Sequence, residues 1–411
     1  MKKDIIRMFN LQGLLVDKIE TNQALKKVFL HCRSPRKYCQ CPDCGKSTKS
    51  IHQTGTRIIK HGKISEQQVV LVLKYRRFKC RQKKCHQIFT ESFPGIDRKR
   101  TTNNLRWEIF RWLSRNSFNF IGSQYDLSPS TITRYLLSLR NNLQKIDWLE
   151  AKVTKLGIDE HSFKGRYLVI TITDLSHRRL LAILKDDRKA SLEEFLKNIP
   201  ELAKNQIIEA CIDLKFSYRD TIGKYLPNAK IVADRFHVEE LAKRTLEEIR
   251  QIIQDQRTGR KIHLKQLLLE KRENLSDKDK EKLQQAFKLY ENFPGLKEAY
   301  IIKETVRDFY RIKDPEKAKE KYKHLLMLLE TAHQSRYLTA LRKTFKRWRT
   351  EILNYFYHRT TNGFTEGCHT KIKMMKRVSF GFRNINNYIA KMMLAFVPLS
   401  LVMHQIIYHT N

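Results

Sequence analysis

The order of apolar runs between about residues 153 and 234 constrains the fold of this chain most strongly. Strand patterns at Val153–Asp159, Tyr167–Asp174 and Arg179–Leu184 precede a helix at Ser191–Asn198, a strand at Ile207–Asp213, a helix at about Tyr218–Tyr225 and a strand at Ala229–Asp234. Three consecutive strands followed by alternating helices and strands favour a mixed α/β sheet covered by helices.

The net charge of the chain indicates a polyanionic partner. Its 411 residues include 81 lysines and arginines against 43 aspartates and glutamates, a formal net charge of +38. Self-repulsion of this size is tolerated when a polyanion neutralises it. We therefore expect DNA or RNA as the partner, with a ribosome-associated or merely basic protein as the alternative.

The sequence contains no stretch that approaches a membrane span of about eighteen uninterrupted apolar residues. The Met1-Lys2-Lys3-Asp4 start is not followed by a long apolar run. We therefore expect a cytoplasmic protein. In such a reducing compartment, clustered cysteines indicate a metal site and not disulfides.

Two cysteine pairs in the N-terminal region have the pattern of a zinc site. Cys41 and Cys44 form a Cys-x-x-Cys knuckle, and Cys80 and Cys85 supply a second pair. Four thiolates complete a closed tetrahedral shell, which predicts one structural Zn²⁺ with no open position for catalysis. The second spacing is loose, so other ligands remain open as alternatives: Cys39, His52 and His86.

A helical region from about 101 to 150 predicts a helix-turn-helix. Its first helix would bury Leu105, Ile109, Trp112 and Leu113 on one face, and a second helix would begin after Ser117. After a turn, Ser128 is expected as the N-cap of a third helix with Pro129 at its first position. That third helix would direct Ile132, Leu136 and Leu139 inward.

Polar side chains on the outward face of this third helix suit readout of base edges in a major groove. The predicted DNA-binding residues there are Ser130, Thr131, Thr133 and Arg134. Arg76 and Arg77, beside the second cysteine pair, are predicted phosphate contacts, and a solvated basic face is the alternative.

Three acidic residues from separate elements are candidates for a catalytic metal site. Asp159 and Asp213 each end a predicted strand. If those strands are neighbours at the centre of the sheet, both carboxylates emerge at one edge, as in an RNase H-like nuclease. Phosphoryl transfer between DNA strands needs two divalent cations about 4 Å apart, held by hard oxygen ligands.

Glu366 is the candidate third acid, on a helix that would return across this edge. Glu366, Thr370, Lys373 and Arg377 would share one helix face, whereas Cys368, Ile372 and Met375 would share another. Together with Lys376, the basic side chains Lys373 and Arg377 are predicted to hold scissile-strand phosphates. A solvated amphipathic helix is the alternative.

Other acids compete for the same role. Asp174 and Asp234 also end predicted strands, and Glu160 adjoins Asp159. Asp234-Arg235-Phe236-His237 would place an acid and a histidine one turn apart, where His237 could orient DNA, a metal or Asp234 itself.

Several blocks resemble the insertion-sequence transposases of the ISL-three type, and the likeness covers essentially the whole chain. They are Cys41-Pro42-Asp43-Cys44-Gly45 with Arg77-Phe78-Lys79-Cys80-Arg81 and Cys85, Leu156-Gly157-Ile158-Asp159-Glu160, Ile231 to Val238, and Thr361 to Asn384. The resemblance implies a DDE transposase that binds the terminal inverted repeats of its element, cleaves strands with Mg²⁺ or Mn²⁺, and joins the freed 3′ hydroxyl to target DNA. It further implies a homodimer or larger assembly on DNA, in the bacterial cytoplasm and associated with the nucleoid.

Matching residues to this family makes Asp159 the first acid and Glu366 the third. Both Asp213 and Asp234 fall in similar blocks; strand order favours Asp213 as the second acid and Asp234 with His237 as an accessory motif. His369 stands where the family is expected to have asparagine, at a position that we expect not to contact the acids. A silent DNA-binding derivative and an RNase H-like nuclease without strand transfer are the alternative functions.

The resulting domain prediction has five segments. They are a zinc-binding domain at 1–97, a helix-turn-helix domain at 98–150, an RNase H-like core at 151–238 and 351–411, and a helical insertion at 239–350. The insertion is expected to break near Thr258-Gly259 and near Phe293-Pro294-Gly295.

Overall fold

A computed structural model of the chain describes residues 6, 9–11, 13–96, 100–255, 264–289, 291, 295–332 and 335–398. The chain groups into two compact units, one formed by Met1–Leu143 with Met374–Asn411 and the other by Gln144–Lys373. The predicted last segment, 351–411, is therefore shared between the two units. The five-segment division itself stays a prediction.

The first unit is built on a sheet of five strands: β1 (Leu15–Asn22), β2 (Lys27–Arg33), β5 (Ile51–Ile64), β6 (Gln67–Lys79) and β7 (Ile88–Thr90). Their order in the sheet is β1-β2-β6-β5, and β7 also pairs with β6. β3 (Cys39–Gln40) and β4 (Ser47–Thr48) form a separate hairpin. The predicted strand at 68–73 lies within β6. Alternate side chains of β2 and β6, such as Leu30 and Leu71, are fully buried.

Four helices follow the sheet in this unit: α1 (Asn103–Leu113), α2 (Phe118–Tyr125), α3 (Pro129–Ser138) and α4 (Arg140–Leu143). α2 begins after Ser117, as predicted, and Ser117 caps it. Ser128 caps α3 with Pro129 in its first turn, also as predicted. Ile132 and Leu136 on α3 are fully buried. The prediction for Trp112 is wrong, because this side chain is 51% exposed while Phe110 takes its place in the core.

The second unit contains a mixed sheet of five strands: β8 (Lys155–Lys164), β9 (Tyr167–Asp174), β10 (Arg179–Ile183), β11 (Glu209–Ile212) and β12 (Lys230–Ala233). Their order in the sheet is β10-β9-β8-β11-β12. The helices that accompany them are α5 (Trp148–Ala151), α6 (Lys189–Lys197), α7 (Glu201–Gln206) and α8 (Phe216–Tyr225). β8, β9 and β10 pair antiparallel, whereas β11 pairs parallel with both β8 and β12. The predicted mixed sheet and the adjacency of β8 and β11 are confirmed.

The predicted end of the first core strand is wrong. β8 continues beyond Asp159 to Lys164, because Glu160, His161 and Ser162 all pair with β9. Asp159 therefore projects from inside a strand, whereas Asp213 and Asp234 follow the last residues of β11 and β12.

The described part of the segment after β12 is mostly helical. It contains α9 (Arg235–Asp255), α10 (Lys265–Leu269), a 3-10 turn (Arg272–Asn274), α11 (Asp277–Leu289), α12 (Leu296–Arg311), α13 (Pro315–Thr331), α14 (Arg336–Arg347) and α15 (Arg349–His358). The predicted break at Thr258-Gly259 and the Phe293-Pro294 part of the second break lie outside the described residues. Gly295, with φ of +107°, directly precedes α12.

Two helices complete the described chain, α16 (Gly363–Val378) and α17 (Ile385–Phe396). α17 packs against α3 and α4. Its fully buried Lys391 donates hydrogen bonds to Asn116 O at 2.5 Å and to Ser379 Oγ at 2.7 Å. Within the described ranges, every helix is too short or too polar to span a lipid bilayer.

Candidate active site and metal centres

Three acids lie side by side on neighbouring parallel strands of the mixed sheet, one within β8 and two directly after the ends of β11 and β12. Ile158 of β8, Ile212 of β11 and Ala233 of β12 stand in register. The residue that follows each of them is an aspartate: Asp159, Asp213 and Asp234. Parallel pairing thus brings together carboxylates that are far apart along the chain.

The side chains of these acids form two groups that share one histidine. Candidate ligand atoms of Asp159, Asp213 and His237 lie within 4.8 Å of one another, and so do those of Asp234, His237 and Glu366. Glu366 comes from the first turn of α16. The structure therefore brings Asp159 to Asp213, as predicted, but groups Glu366 with Asp234 and His237.

Burial and mutual repulsion perturb the ionisation of this cluster. Burial raises the pKa of Asp159 to about 8, and the negative charge of Asp213 acts in the same direction. Burial likewise raises the pKa of Asp234 to about 6. Although burial opposes a charged imidazole, the Asp213 carboxylate raises the pKa of His237 to about 9. Such an excess of confined negative charge is the electrostatic condition that favours a bound cation.

Asp234 is fully buried and helps to fix the start of α16. Its Oδ1 accepts a hydrogen bond from the backbone N–H of Asn362 at 3.0 Å. Among the described residues, its Oδ2 has no hydrogen-bond partner. The side chain of Asn362 in turn donates to Ile158 O at 3.2 Å. Asn362 thus ties the helix that carries Glu366 to the strand that carries Asp159.

Gly157 permits this close approach of α16 to β8. A Cβ atom at position 157 would lie 2.5 Å from Thr173 Oγ1, 2.6 Å from Thr365 Oγ1 and 2.7 Å from Asn362 Oδ1. Sequence reasoning did not single out Gly157, Asn362 or Thr365 as site residues. Their position inside the acidic blocks was the available signal, but their roles depend on contacts across the fold.

His369, one turn beyond Glu366 on α16, contacts the site from the side of β9. Its Nδ1 lies 3.4 Å from Asp159 Oδ2, so the expectation that it does not contact the acids is wrong. Its Nε2 lies 2.9 Å from Thr171 Oγ1. Burial, together with the charge of Lys373, lowers the pKa of His369 to about 4, which makes it neutral near pH 7.

The carboxylates of the competing acids Asp174 and Glu160 are engaged in ion pairs and hydrogen bonds outside this cluster. Asp174 Oδ2 pairs with Arg179 at 2.8 Å and with His177 at 2.9 Å at the β9–β10 turn. Glu160 accepts hydrogen bonds from Lys215 and Tyr218. Neither acid belongs to a group of potential metal ligands found among the described residues.

The four predicted zinc ligands converge in the first unit. The Sγ atoms of Cys41, Cys44, Cys80 and Cys85 lie within 4.8 Å of one another, with Cys41–Cys85 and Cys44–Cys80 distances of 3.6 Å. Four thiolates at the usual zinc–sulfur distance of about 2.3 Å stand about 3.8 Å apart in a tetrahedron. The geometry therefore fits a structural zinc ion. The alternatives Cys39, His52 and His86 are outside this group.

The predicted DNA-contacting residues differ in how available they are. Ser130 and Arg134 of α3 are exposed, and Thr131 and Thr133 are partly exposed. On α16, Lys373 and Arg377 are exposed and Lys376 is partly exposed. Arg77 is partly exposed as well, with Nη1 3.3 Å from Gln53 Oε1.

Arg76 is committed to a buried acid. Its guanidinium donates to Glu91 Oε2 at 2.7 Å and to the backbone oxygen of Arg36 at 2.8 Å. The hydrogen bonds that Arg76 donates to Glu91 raise the pKa of Arg76. The contacts of Arg76 therefore stabilise the sheet next to the zinc cysteines.

Comparison with protein families identifies the class of protein that carries this sheet and these acids. A family model described as "Transposase", for the DDE type of the ISL-three group, matches residues 156–392. A second model, described as the "zinc-finger of transposase IS204/IS1001/IS1096/IS1165", matches residues 37–85. The fold and the two matches define a transposase with an N-terminal zinc ribbon. The chain belongs to the ISL-three family of insertion-sequence transposases.

Individual relatives agree with this assignment. The chain is 25% identical over 398 residues to the transposase for insertion sequence element IS1001 of Bordetella parapertussis, covering 94% of this chain and 96% of the relative. It is 27% identical over 275 residues to the transposase for insertion sequence element IS1557 of Mycobacterium tuberculosis, covering 59% of this chain and 60% of that protein.

Proposed function

We propose that this chain is an active DNA transposase that binds the terminal inverted repeats of its own insertion sequence, cleaves strands there and transfers the freed ends to target DNA. The observation that carries the proposal is the convergence of Asp159, Asp213, Asp234 and Glu366 from four separate elements onto one histidine, His237. A purely structural role for this cluster is costly, because Asp159 and Asp234 are buried and one histidine cannot balance four carboxylates.

Asp159, Asp213 and Glu366 are the proposed ligands of two Mg²⁺ or Mn²⁺ ions. Their oxygen donors suit such hard cations. Burial, together with the charge of Asp213, raises the pKa of Asp159, a cost of ionisation that a bound cation would offset. When bound, the ions would activate the attacking oxygen and stabilise the leaving oxygen of a phosphodiester.

Asp213 is preferred to Asp234 as the second acid because the Asp213 carboxylate is accessible, whereas the Asp234 carboxylate is buried and already hydrogen-bonded. The Asp213 side chain is 26% exposed, so substrate can approach it. Asp234 is fully buried and is engaged by Asn362. We therefore assign Asp234 and His237 accessory roles: Asp234 positions α16, and His237 balances the charge of Asp213.

The proposed core is RNase H-like, with α9 to α15 as an insertion between β12 and α16. Three antiparallel strands followed by two parallel ones support this interpretation. We further propose that α2 and α3 form a helix-turn-helix whose exposed α3 residues read DNA bases. Pairing two element ends would require a homodimer or larger assembly.

The decisive experiment adds Mg²⁺ or Mn²⁺ to the purified full chain bound to a duplex of its element's inverted repeat. The inverted repeat is read from the DNA that flanks the coding region. We expect nicks at the repeat boundary, followed by joined products when target DNA is supplied. Binding without nicks would overturn the enzymatic proposal in favour of a silent DNA-binding derivative, and nicks without joined products would leave a nuclease.

A further inference from the structure

A basic groove in the first unit lies beside the exposed face of α3. It has a volume of about 970 Å³ and is lined by residues of β5, of the segment that enters α1, and of α3. Four of its lining residues are cationic: Arg57, Lys60, Arg100 and Arg134. None of the described lining residues is acidic. Hydroxyl groups of Thr56, Thr101, Thr131 and Tyr135 complete its polar lining.

The two walls of the groove are held together by specific contacts. Lys60 of β5 pairs with Asp126 Oδ2, in the turn between α2 and α3, at 2.8 Å. The backbone N–H of Lys60 donates to Arg100 O at 3.0 Å, and Thr101 Oγ1 lies 2.8 Å from Tyr135 Oη on α3. The strand and the helix therefore form one preorganised surface.

The side chain of Arg57 is ordered on this surface by an aromatic neighbour. Its guanidinium lies 4.3 Å from the centroid of the Tyr75 ring, a cation–π arrangement that limits its freedom. The ring occupies this position because residue 55 is glycine: a Cβ there would lie 2.6 Å from Tyr75 Oη. An ordered arginine loses less entropy when it binds an anion.

We infer that this groove holds the sugar-phosphate backbone of duplex DNA, next to the base pairs read by α3. Cations and hydroxyls with no lining acid match the chemistry of phosphate contacts, which fix the register of a protein on DNA without reading sequence. The inference rests on the proposed DNA-binding function and extends the DNA surface from the helix to the edge strand β5. Arg57 and Arg100 are the new phosphate contacts.

The test is the salt dependence of duplex binding by the full chain. Each phosphate contact contributes about 0.9 to the slope of log K against log salt on B-form DNA. We expect Arg57→Gln and Arg100→Ala each to reduce the slope by about 0.9. Arg57→Lys should keep the wild-type slope, since it preserves the charge.

Lys18→Ala is the matched control. Lys18 lies on β1, the opposite edge strand of the same sheet, and its side chain is 67% exposed. We expect its slope to equal that of the wild type. Zinc content and the thermal unfolding midpoint verify that each variant is folded.

Using both an inverted-repeat duplex and an unrelated duplex separates this inference from the proposed function. Phosphate contacts should appear in the slopes on both duplexes. Unchanged slopes for Arg57→Gln and Arg100→Ala would overturn the groove assignment and would fit another occupant, such as an acidic peptide. Reduced slopes without any preference for the inverted repeat would support the groove and count against the proposed specificity.

Discussion

His237 Nε2 lies 2.9 Å from Asp213 Oδ1, an ion pair that joins the first turn of α9 to the end of β11. Because His237 also belongs to the group with Asp234 and Glu366, one imidazole is shared by all the acids that surround the site. The metal-free site thus carries an internal counter-charge, whose protonation must depend on pH.

Metal-free stability should fall as pH rises. The folded-state pKa of Asp159, about 8, is above its usual value, so the folded chain retains a proton that the unfolded chain loses above about pH 4. The folded-state pKa of His237, about 9, is also raised, so its stabilising contribution is complete below about pH 6.5 and is lost as pH rises through 9. Both effects act together between about pH 6.5 and 8, where they lower stability by up to about 1.4 kcal/mol per pH unit for each proton. Below about pH 6.5 His369, with a folded pKa of about 4, contributes in the opposite direction and offsets Asp159.

Thermal unfolding of the zinc-loaded chain between about pH 6.5 and 8, without added Mg²⁺ or Mn²⁺, measures the effect. Asp159→Asn should flatten the profile below pH 8 and make the metal-free protein more stable at pH 8. Mn²⁺ should stabilise the wild type more at pH 8 than at pH 6, because binding displaces protons. A metal-free stability that increases with pH would contradict this assignment.

Substitution of the proposed metal ligands should separate chemistry from binding. Asp159→Ala, Asp213→Ala and Glu366→Ala should each lower the cleavage rate by about a thousandfold or more, because two-metal chemistry fails without its ligands. Affinity for inverted-repeat DNA should remain within about threefold, measured at one salt concentration.

Asp234→Asn distinguishes the two candidates for the second acid. Its amide oxygen can still accept the Asn362 N–H, so α16 should remain in place. If Asp213 is the second acid, Asp234→Asn should retain measurable cleavage where Asp213→Asn does not. The reverse ranking would exchange the two roles.

Gly157→Ala should disrupt the site without touching an acid. The added methyl group would lie within 2.7 Å of Thr173, Thr365 and Asn362, so α16 must shift away from β8. Overpacking of this kind costs about 1–3 kcal/mol, which calorimetry or denaturant unfolding can measure. Cleavage should fall while DNA binding persists.

Gly223→Ala is the control for this substitution. Gly223 lies in α8, and a Cβ there has no neighbour within 4 Å. In a helix interior, alanine should be neutral or stabilising by up to about 1 kcal/mol. Equal effects of both substitutions would remove the argument for close approach at Gly157.

Zinc removal should abolish DNA binding through loss of the N-terminal fold. Cys44→Ala and Cys80→Ala should each release zinc, measured by metal analysis of the purified chain, and lower the unfolding temperature. Cys39→Ala should keep one zinc ion per chain, because Cys39 lies outside the four-thiol group. Loss of zinc in Cys39→Ala would instead return this residue to the ligand set.

His369→Asn tests whether the histidine near Asp159 lowers the activity of this transposase. Since His369 is neutral near pH 7 and contacts Asp159 and Thr171, an amide should replace its polar contacts. We expect cleavage within about tenfold of wild type, whereas His369→Leu should fall further because it leaves buried polar groups unpaired. Much faster cleavage by His369→Asn would indicate that the histidine weakens the enzyme.

Local patterns in the sequence were enough to predict the order of the strands of the mixed sheet, the cap of α3 and the four cysteines that converge. These features depend on short-range physics: side-chain alternation, capping chemistry and the spacing of thiols in a knuckle. The buried face of α16, with Cys368, Ile372 and Met375, likewise follows from helical periodicity. Trp112 was misplaced because periodicity alone does not say which of several nearby apolar residues meets the core.

The tertiary structure alone decided how the acids combine. Strand register placed Asp234 beside Asp213, and the return of α16 brought Glu366 to Asp234 and His237. The contact between His369 and Asp159, and the need for glycine at 157, depend on distances between residues about 200 positions apart in the chain. Local sequence patterns carry no measure of such distances, because they are set by how β8, β11, β12 and α16 pack together.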